Sequence, residues 1–223
     1  MRLAALCSGG KDSAYALWLA LEEGHDIDFI VSMIPERSDS WMFHRPNVHL
    51  MDLFAECSKI PLIKGETSGV KEKELDDLKL VLSNLEVDGI VNGAVASNYQ
   101  KNRIDGICEE LGLSSVSPLW NKDPLNLLRG IIKEDFEVII TSVSAMGLGK
   151  NWLGRKLNEE SLQDLKDLRN EYGINISGEG GEYETLVLNT PFFENKRISI
   201  IETRSEWKSD SGKLIVEKAE IVS

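Results

Sequence analysis

The chain has 223 residues, 42% of them apolar, which is enough for one large or two small domains with buried cores. Its formal net charge of -12 repels a phosphate backbone, so we expect no binding to nucleic acid. Cys7, Cys57 and Cys108 show no metal-ligand spacing and are expected to be free, buried thiols. The apolar run after Arg2 is too short for a signal peptide or a membrane span, so we expect a cytoplasmic protein without membrane contact.

Short apolar runs alternate with amphipathic segments through the first half of the chain. Strands are predicted at residues 3–7, 29–34, 61–64 and 89–95. Helices are predicted from the first strand to Glu23, at residues 50–57 and 71–85, and around residues 104–111, where Gly112 ends the helix. This alternation predicts an α/β fold with a parallel sheet flanked by helices, in which ligands bind beyond the carboxyl ends of the strands.

The second half has a different pattern, and we place a domain boundary near residue 120. Asp123 before Pro124 predicts a helix start, residues 138–143 read as a buried strand, and Asn158 is expected to cap a further helix. The tail from Arg197 onward alternates as strands around a turn at residues 209–212. We therefore predict a smaller C-terminal α/β domain that ends in antiparallel strands.

The loop Ser8-Gly9-Gly10-Lys11-Asp12-Ser13, here called the glycine loop, follows a predicted strand and opens a helix. Its glycines allow backbone N–H groups to approach an anion, so we predict a phosphate cradle rather than a turn that binds nothing. It is not a Walker A loop, because Asp12 follows the lysine where serine or threonine is required. Lys11 supplies charge, Ser8 and Ser13 supply hydroxyl donors, and Asp12 would repel phosphate unless it holds Mg²⁺ or faces away. We favour the magnesium role.

A second group of polar residues begins the helix after the strand at residues 89–95. Ser97, Tyr99, Gln100 and Arg103 are expected to lie at the carboxyl edge of the sheet. Arg103 is suited to offset charge on an α-phosphate during its displacement, and the alternative is a surface arginine on a helix.

Three carboxylates, Glu179, Glu182 and Glu184, stand within six residues beside a glycine pair. Such clustering of like charge is costly unless a cation or a reacting nitrogen offsets it. The roles left open are a second magnesium ligand, a base for ammonium and a hydrogen bond to substrate. The alternative is a solvated acidic turn before a strand.

The glycine loop is similar to the loop of the ATP pyrophosphatases, which split ATP between the α and β phosphates. Three further segments resemble the archaeal and eukaryotic diphthine-ammonia ligases: residues 40–44, residues 93–100 with Arg103, and residues 178–185. The four segments span nearly the whole chain in the order that this family shows. Residues 41–44, Trp-Met-Phe-His, are expected to form a lid or docking patch, or else to fold back into the core.

The resemblance implies a HUP-like fold of the adenine nucleotide alpha hydrolase type, with an ATP-binding domain at residues 1–120 and a substrate domain at residues 121–223. It implies ATP-dependent amidation of diphthine on translation elongation factor 2, with AMP and pyrophosphate as products. Beside the resemblance, we expect Mg²⁺ at Asp12, an acyl adenylate intermediate and free ammonium as the nitrogen donor. A homo-oligomer is left open.

The site residues carried over on these segments fall into three sets. The catalytic set is Lys11, Asp12, Arg103, Glu182 and Glu184. The nucleotide-binding set is Ser8, Gly9, Gly10, Lys11, Asp12, Ser13, Gly93, Ser97, Tyr99, Gln100 and Glu179. The metal ligand is Asp12.

Two rival functions remain at this stage. The same adenylation chemistry would also serve a small acid or a tRNA, although the acidity of the chain argues against tRNA. A non-catalytic nucleotide sensor would share the sheet architecture, but it would not need Lys11, Asp12 and the three glutamates.

Overall fold

The computed structural model describes residues 1–35, 47–68, 70 and 73–223. The chain divides into two compact units, Met1–Trp120 and Asn121–Ser223. Residues 41–44 lie outside the described residues, so their role as a lid or docking patch stays a prediction.

The first unit is a five-stranded parallel sheet with helices between its strands. The strands are β1 Arg2–Leu6, β2 Asp26–Pro35, β3 Leu62–Thr67, β4 Gly89–Val91 and β5 Ser114–Val116, in the order β3-β2-β1-β4-β5. The helices are α1 Lys11–Glu22, α2 Met51–Ser58, α3 Lys73–Ser83 and α4 Asn98–Leu111, and a short 3₁₀ turn spans Val48–Leu50. The predicted parallel sheet is confirmed. Because β1 and β4 are neighbours, the chain segments that follow them leave the sheet side by side.

Helices α3 and α4 cover one face of this sheet. Leu78 of α3 and Ile104 of α4 belong to one buried cluster with Ala4, Val31 and Ile90 of the strands. Burying a side chain of this size stabilises the fold by about 1.5–3 kcal/mol, so this cluster fixes the sheet as a rigid base for its carboxyl edge.

Strand β4 is shorter than the sequence indicates. The predicted strand continued to Val95, but the observed one ends at Val91. The Asn92 side chain accepts a hydrogen bond from the Ala94 N–H at 3.1 Å, and this bond turns the backbone out of the sheet. The residues from Asn92 to Ser97, here called the edge segment, therefore cross the carboxyl edge as a loop.

The second unit contains a four-stranded antiparallel sheet in the order β7-β6-β9-β8. Its strands are β6 Glu137–Val143, β7 Tyr183–Asn189, β8 Arg197–Lys208 and β9 Ser211–Val222. Its helices are α5 Pro124–Lys133 and α6 Glu159–Tyr172, with a 3₁₀ turn at Lys150–Trp152. The antiparallel C-terminal strands are confirmed.

Both predicted helix starts in the second unit are also confirmed. Asp123 Oδ1 accepts the Asn126 N–H at 2.9 Å, and Pro124 occupies the first turn of α5. Asn158 and Ser161 exchange side chain to backbone hydrogen bonds at 2.9 Å, which is a capping box. Such a cap satisfies N–H groups that have no partner within the helix.

The three cysteines are free and buried, as expected. Burial raises the pKa of the Cys7 thiol, and the weaker opposing effect of its hydrogen bonds does not reverse this. Cys7 is therefore a neutral thiol at physiological pH rather than a nucleophilic thiolate. Among the described residues, no helix combines the length and apolarity that a membrane crossing requires.

Candidate active site

The glycine loop connects the central strand β1 to helix α1. The Cys7 N–H donates to the Val31 carbonyl at 2.9 Å, which extends the strand pairing to the start of the loop. Gly9 then adopts a φ of 80°, a conformation that favours glycine, and Gly10 precedes the helix with extended backbone angles. Among the described residues no side chain caps α1, and the first N–H groups of a helix have no intrahelical acceptor. The start of α1 is thus suited to an anion.

Ser13 closes the glycine loop on itself. Its Oγ accepts the Ser8 N–H at 3.3 Å and donates to the Gly10 carbonyl at 3.1 Å. The same Oγ lies 3.4 Å from Ser8 Oγ and 3.5 Å from Cys7 Sγ. Sequence reasoning assigned Ser13 only as a phosphate donor. The structure gives it a positioning role, because one hydroxyl joins both ends of the loop.

Lys11 and Asp12 form an ion pair at the start of α1. Lys11 is only 3% exposed, and its Nζ lies 2.7 Å from Asp12 Oδ2. A buried ammonium group is costly without a partner, and this carboxylate offsets part of that cost. The second carboxylate oxygen, Asp12 Oδ1, is buried without a hydrogen-bond partner in the described part of the chain. An unpartnered carboxylate oxygen beside a helix start that is suited to an anion fits a hard cation such as Mg²⁺.

The edge segment packs directly on the glycine loop through Gly93. A Cβ atom at Gly93 would lie 2.7 Å from Ser13 N and 2.9 Å from the Asp12 carbonyl carbon. No side chain fits at these distances, so glycine is required for the two backbones to approach this closely. The structure therefore brings Gly93 together with the glycine loop residues, although they are 80 positions apart in sequence.

Four further residues predicted near the nucleotide, Ser97, Tyr99, Gln100 and Arg103, lie in or next to the first two turns of α4, whereas Glu179 lies in the second unit. Ser97 Oγ accepts the Gln100 N–H at 3.3 Å, so its side chain caps the helix. The guanidinium carbon of Arg103 lies 3.6 Å from the centroid of the Tyr99 ring, which is a stacked cation–π pair. Arg103 is half-buried in this stack rather than extended into solvent. Its charge is thus held over the Tyr99 ring, and its role at the α-phosphate stays a prediction.

In the second unit, the residues from Gly178 to Glu184, here called the acidic loop, lead into β7. The Glu182 carboxylate accepts the Asn175 N–H at 2.9 Å and the Gly180 N–H at 2.8 Å. Charge-assisted bonds of this kind are about twice as strong as neutral ones, so Glu182 holds the loop in shape. Both of its carboxylate oxygens therefore accept backbone N–H groups of the same region.

Ser144 binds the acidic loop to the end of β6. Its N–H donates to the Glu182 carbonyl at 2.8 Å, and its Oγ donates to the Gly181 carbonyl at 2.5 Å. Tyr183 also anchors the loop, because its buried hydroxyl donates to the Ile176 carbonyl at 2.6 Å. Glu179 and Glu184 are half-buried at either end of the loop. The three glutamates thus belong to a loop that is held by hydrogen bonds, and their roles toward a ligand stay predictions.

Sequence reasoning missed Asn92, Ser144 and Asn175, which hold these loops in place. Asn175 Oδ1 accepts the N–H of Ser177 at 3.0 Å and its Oγ at 2.8 Å. The available signal was a polar residue directly after a buried strand, as at Asn92 and Ser144.

Both units of the chain match known protein families. Residues 1–115 match the family described as "Diphthamide synthase N-terminal domain", and residues 123–222 match the "Diphthamide synthase C-terminal domain". The chain belongs to the diphthamide synthase family. The resemblance inferred from four sequence segments is therefore confirmed.

Curated members of the diphthamide synthase family align over most of the chain. A rat protein named "Diphthine--ammonia ligase" is 37% identical over 219 residues, covering 88% of this chain and 82% of that protein. The human protein of the same name is 35% identical over 221 residues, covering 89% and 82%. The zebrafish (Danio rerio) protein is 34% identical over 232 residues, covering 94% and 90%. These relatives share both units of the chain.

A solved structure from Methanocaldococcus jannaschii, described as a predicted subunit of tRNA methyltransferase, is 15% identical. It gives a TM-score of 0.44 and covers 86% of this chain and 98% of that chain. This likeness is too low to bear on function.

Proposed function

We propose that this protein is an ATP-dependent ligase that converts diphthine on translation elongation factor 2 into diphthamide. The diphthine carboxylate attacks the α-phosphate of ATP, pyrophosphate leaves, and ammonia then displaces AMP from the acyl adenylate to form the amide. The observation that carries this proposal is the glycine loop at the start of α1, in a chain whose two halves both match diphthamide synthase domains. We expect the reaction to take place in the cytoplasm.

The first unit, residues 1–120, is proposed to bind ATP, with the glycine loop around the departing pyrophosphate. The start of α1 offers backbone N–H groups, and Ser13 keeps the loop preorganised for them. Lys11 adds a positive charge where negative charge develops on the leaving group. Because Lys11 is already charged and held by Asp12, little reorganisation is needed during the reaction.

Asp12 is proposed to hold Mg²⁺ through its unpartnered Oδ1. The described residues contain no group of three or more His, Cys, Asp or Glu side chains that would enclose a metal ion. Mg²⁺ in nucleotide sites is bound through one or two protein carboxylates, so Asp12 would suffice as the carboxylate ligand. When bound, it would neutralise charge on the phosphates. Asp12 would thus orient Lys11 with Oδ2 and hold the ion with Oδ1.

Arg103 is proposed to face the α-phosphate with its charge fixed by the Tyr99 stack. Gly93, Ser97 and Gln100 are proposed to line the nucleotide site through their backbone, since Ser97 uses its side chain as a helix cap. These assignments keep the nucleotide at the carboxyl edge of the sheet, where parallel α/β sheets bind ligands.

The second unit, residues 121–223, is proposed to bind the diphthine substrate. Within the acidic loop we assign Glu182 to holding the loop, because both of its oxygens accept backbone N–H groups. Glu179 and Glu184 are the carboxylates proposed to meet the cationic part of the substrate or the incoming ammonium. In this assignment Glu182 positions the acidic loop and does not itself transfer a proton.

The test is to identify the nucleotide products and their dependence on Lys11. With diphthine-bearing elongation factor and ammonium, the wild-type protein should release AMP and pyrophosphate, measured by chromatography. Lys11→Ala should lose about 1.5–3 kcal/mol of charge-assisted hydrogen bonding, roughly tenfold to a hundredfold in rate. Lys64→Ala is the matched control, because it removes an exposed lysine–aspartate pair with Asp52. Its rate should equal that of the wild type.

Two results would overturn the proposal. Substrate-dependent release of ADP and phosphate would exclude cleavage between the α and β phosphates. A folded Lys11→Ala protein with the wild-type rate would remove the glycine loop from the reaction.

A further inference from the structure

The side chain of Asn92 forms several hydrogen bonds, although Asn92 has no role in the proposed reaction. It lies at the carboxyl end of β4 and is 1% exposed. Its Nδ2 donates to Ser117 Oγ at 3.0 Å and to the Val116 carbonyl at 3.3 Å, while its Oδ1 accepts the Ala94 N–H at 3.1 Å. Its backbone N–H also donates to the Val116 carbonyl at 3.0 Å. One carboxamide therefore joins the ends of β4 and β5 to the edge segment.

The hydrogen bonds of the Asn92 side chain also fix the position of Gly93. Gly93 stands between Asn92 and Ala94, and both neighbours are tied to the same carboxamide. Gly93 is also the residue that contacts the backbone of Asp12 and Ser13, at distances that exclude a Cβ atom. The position of the first turn of α1 relative to the sheet edge is thus determined by a chain of contacts that begins at Asn92.

We propose that Asn92 is a positioning residue for ATP: it holds Gly93 against the first turn of α1 and thereby sets the geometry of the glycine loop. This inference rests on the proposed function only in that ATP binds at the glycine loop. Asn92 does not touch the nucleotide. It acts through the backbone of the edge segment.

The chemistry of the position calls for asparagine. Aspartate keeps the acceptors for the Ala94 N–H and the Ser117 hydroxyl, but it loses the donor to the Val116 carbonyl and places a charge in a buried site. Alanine loses all the side-chain bonds and leaves the Ala94 N–H without its acceptor. Either substitution frees the edge segment to move away from α1, while the strands and helices of the sheet keep their apolar core.

The experiment measures the Kd of ATP by calorimetry and the KM of elongation factor by steady-state kinetics, using the full-length chain. Asn92→Asp and Asn92→Ala should each raise the Kd of ATP about tenfold, the equivalent of one or two buried hydrogen bonds. The KM for elongation factor should stay at the wild-type value. Ser115→Ala is the matched control. It removes a 2.6 Å bond to Asp105 from the same strand β5 without touching the edge segment, so its Kd for ATP should not change.

A wild-type Kd for ATP in folded Asn92 variants would overturn the inference, and so would an equal loss of affinity in Ser115→Ala. If the Asn92 variants do not fold, the Kd of ATP for Ser117→Ala provides the test, since this substitution removes a single partner of the Asn92 carboxamide. A raised Kd in that variant supports the inference, and a wild-type Kd overturns it. Failure of the proposed function is a separate result, because then the wild-type protein itself would show no ATP binding.

Discussion

Replacing Gly93 with alanine tests the contact between the edge segment and the glycine loop. The new Cβ would lie 2.7 Å from Ser13 N, whereas ordinary van der Waals contacts begin at 3.4 Å. The neighbouring atoms are backbone, so no flexible side chain can move aside. The edge segment and the start of α1 must therefore separate by several tenths of an ångström, and the glycine loop moves with α1.

The expected effect is larger on catalysis than on stability. Overpacking of this kind costs about 1–3 kcal/mol of folding free energy. Misplacing reacting groups by about 1 Å costs up to about a hundredfold in rate, so we expect a loss of roughly tenfold to a hundredfold in kcat/KM for ATP. The assay is steady-state AMP formation at saturating elongation factor and ammonium, with circular dichroism to confirm folding.

Gly106→Ala is the matched control, since Gly106 lies inside α4 and an added Cβ there would meet open space. Alanine at a helix interior position is favoured over glycine by about 1 kcal/mol, so this variant should be slightly more stable and equally active. A folded Gly93→Ala protein with wild-type kcat/KM for ATP would refute the claim that the edge segment positions the glycine loop.

Three further outcomes follow from the second unit. Glu182→Gln should loosen the acidic loop and lower the amide formed per AMP released, measured together in one reaction; equal suppression of AMP and amide would contradict this role. Burial alone would raise the pKa of Glu137, but hydrogen bonds and charges from Lys156 and Arg197 hold it below its ordinary value. The resulting stability is present at neutral pH and lost as pH falls below about 4. In Glu137→Gln the free energy of unfolding should vary less with pH in that range, and a wild-type slope would refute the assignment. Asn158→Ala should lower the free energy of unfolding by about 1 kcal/mol in denaturant titrations and leave kcat/KM unchanged, and a stability equal to wild type would contradict the cap.

Local signals account for the parts of the fold that the sequence predicts well. The glycine loop combines an apolar run, two glycines and an amphipathic segment within a few residues, so its place between β1 and α1 is evident from the sequence. Asp123 and Asn158 are N-caps whose partners lie three residues ahead, which makes them readable without tertiary contacts.

Roles that depend on distant partners were not predictable in the same way. The length of β4 was overestimated because the turn at Asn92 depends on β5, which begins more than 20 positions later. Ser13 and Glu182 were assigned to ligands from their residue types and motifs, whereas each also forms hydrogen bonds within its own loop in the structure. Residue type shows that a carboxylate or hydroxyl has bonding capacity, but only the folded backbone shows which groups use it.

The most direct test of the ligase assignment is the mass of the elongation factor after reaction. The protein is incubated with ATP, isotopically labelled ammonium and elongation factor 2 that carries diphthine, and the modified peptide is analysed by mass spectrometry. The account predicts that the diphthine carboxylate becomes an amide containing the labelled nitrogen, with one AMP released per amide. Cleavage of ATP to AMP with diphthine left unchanged would contradict it and would assign the adenylation to another acceptor.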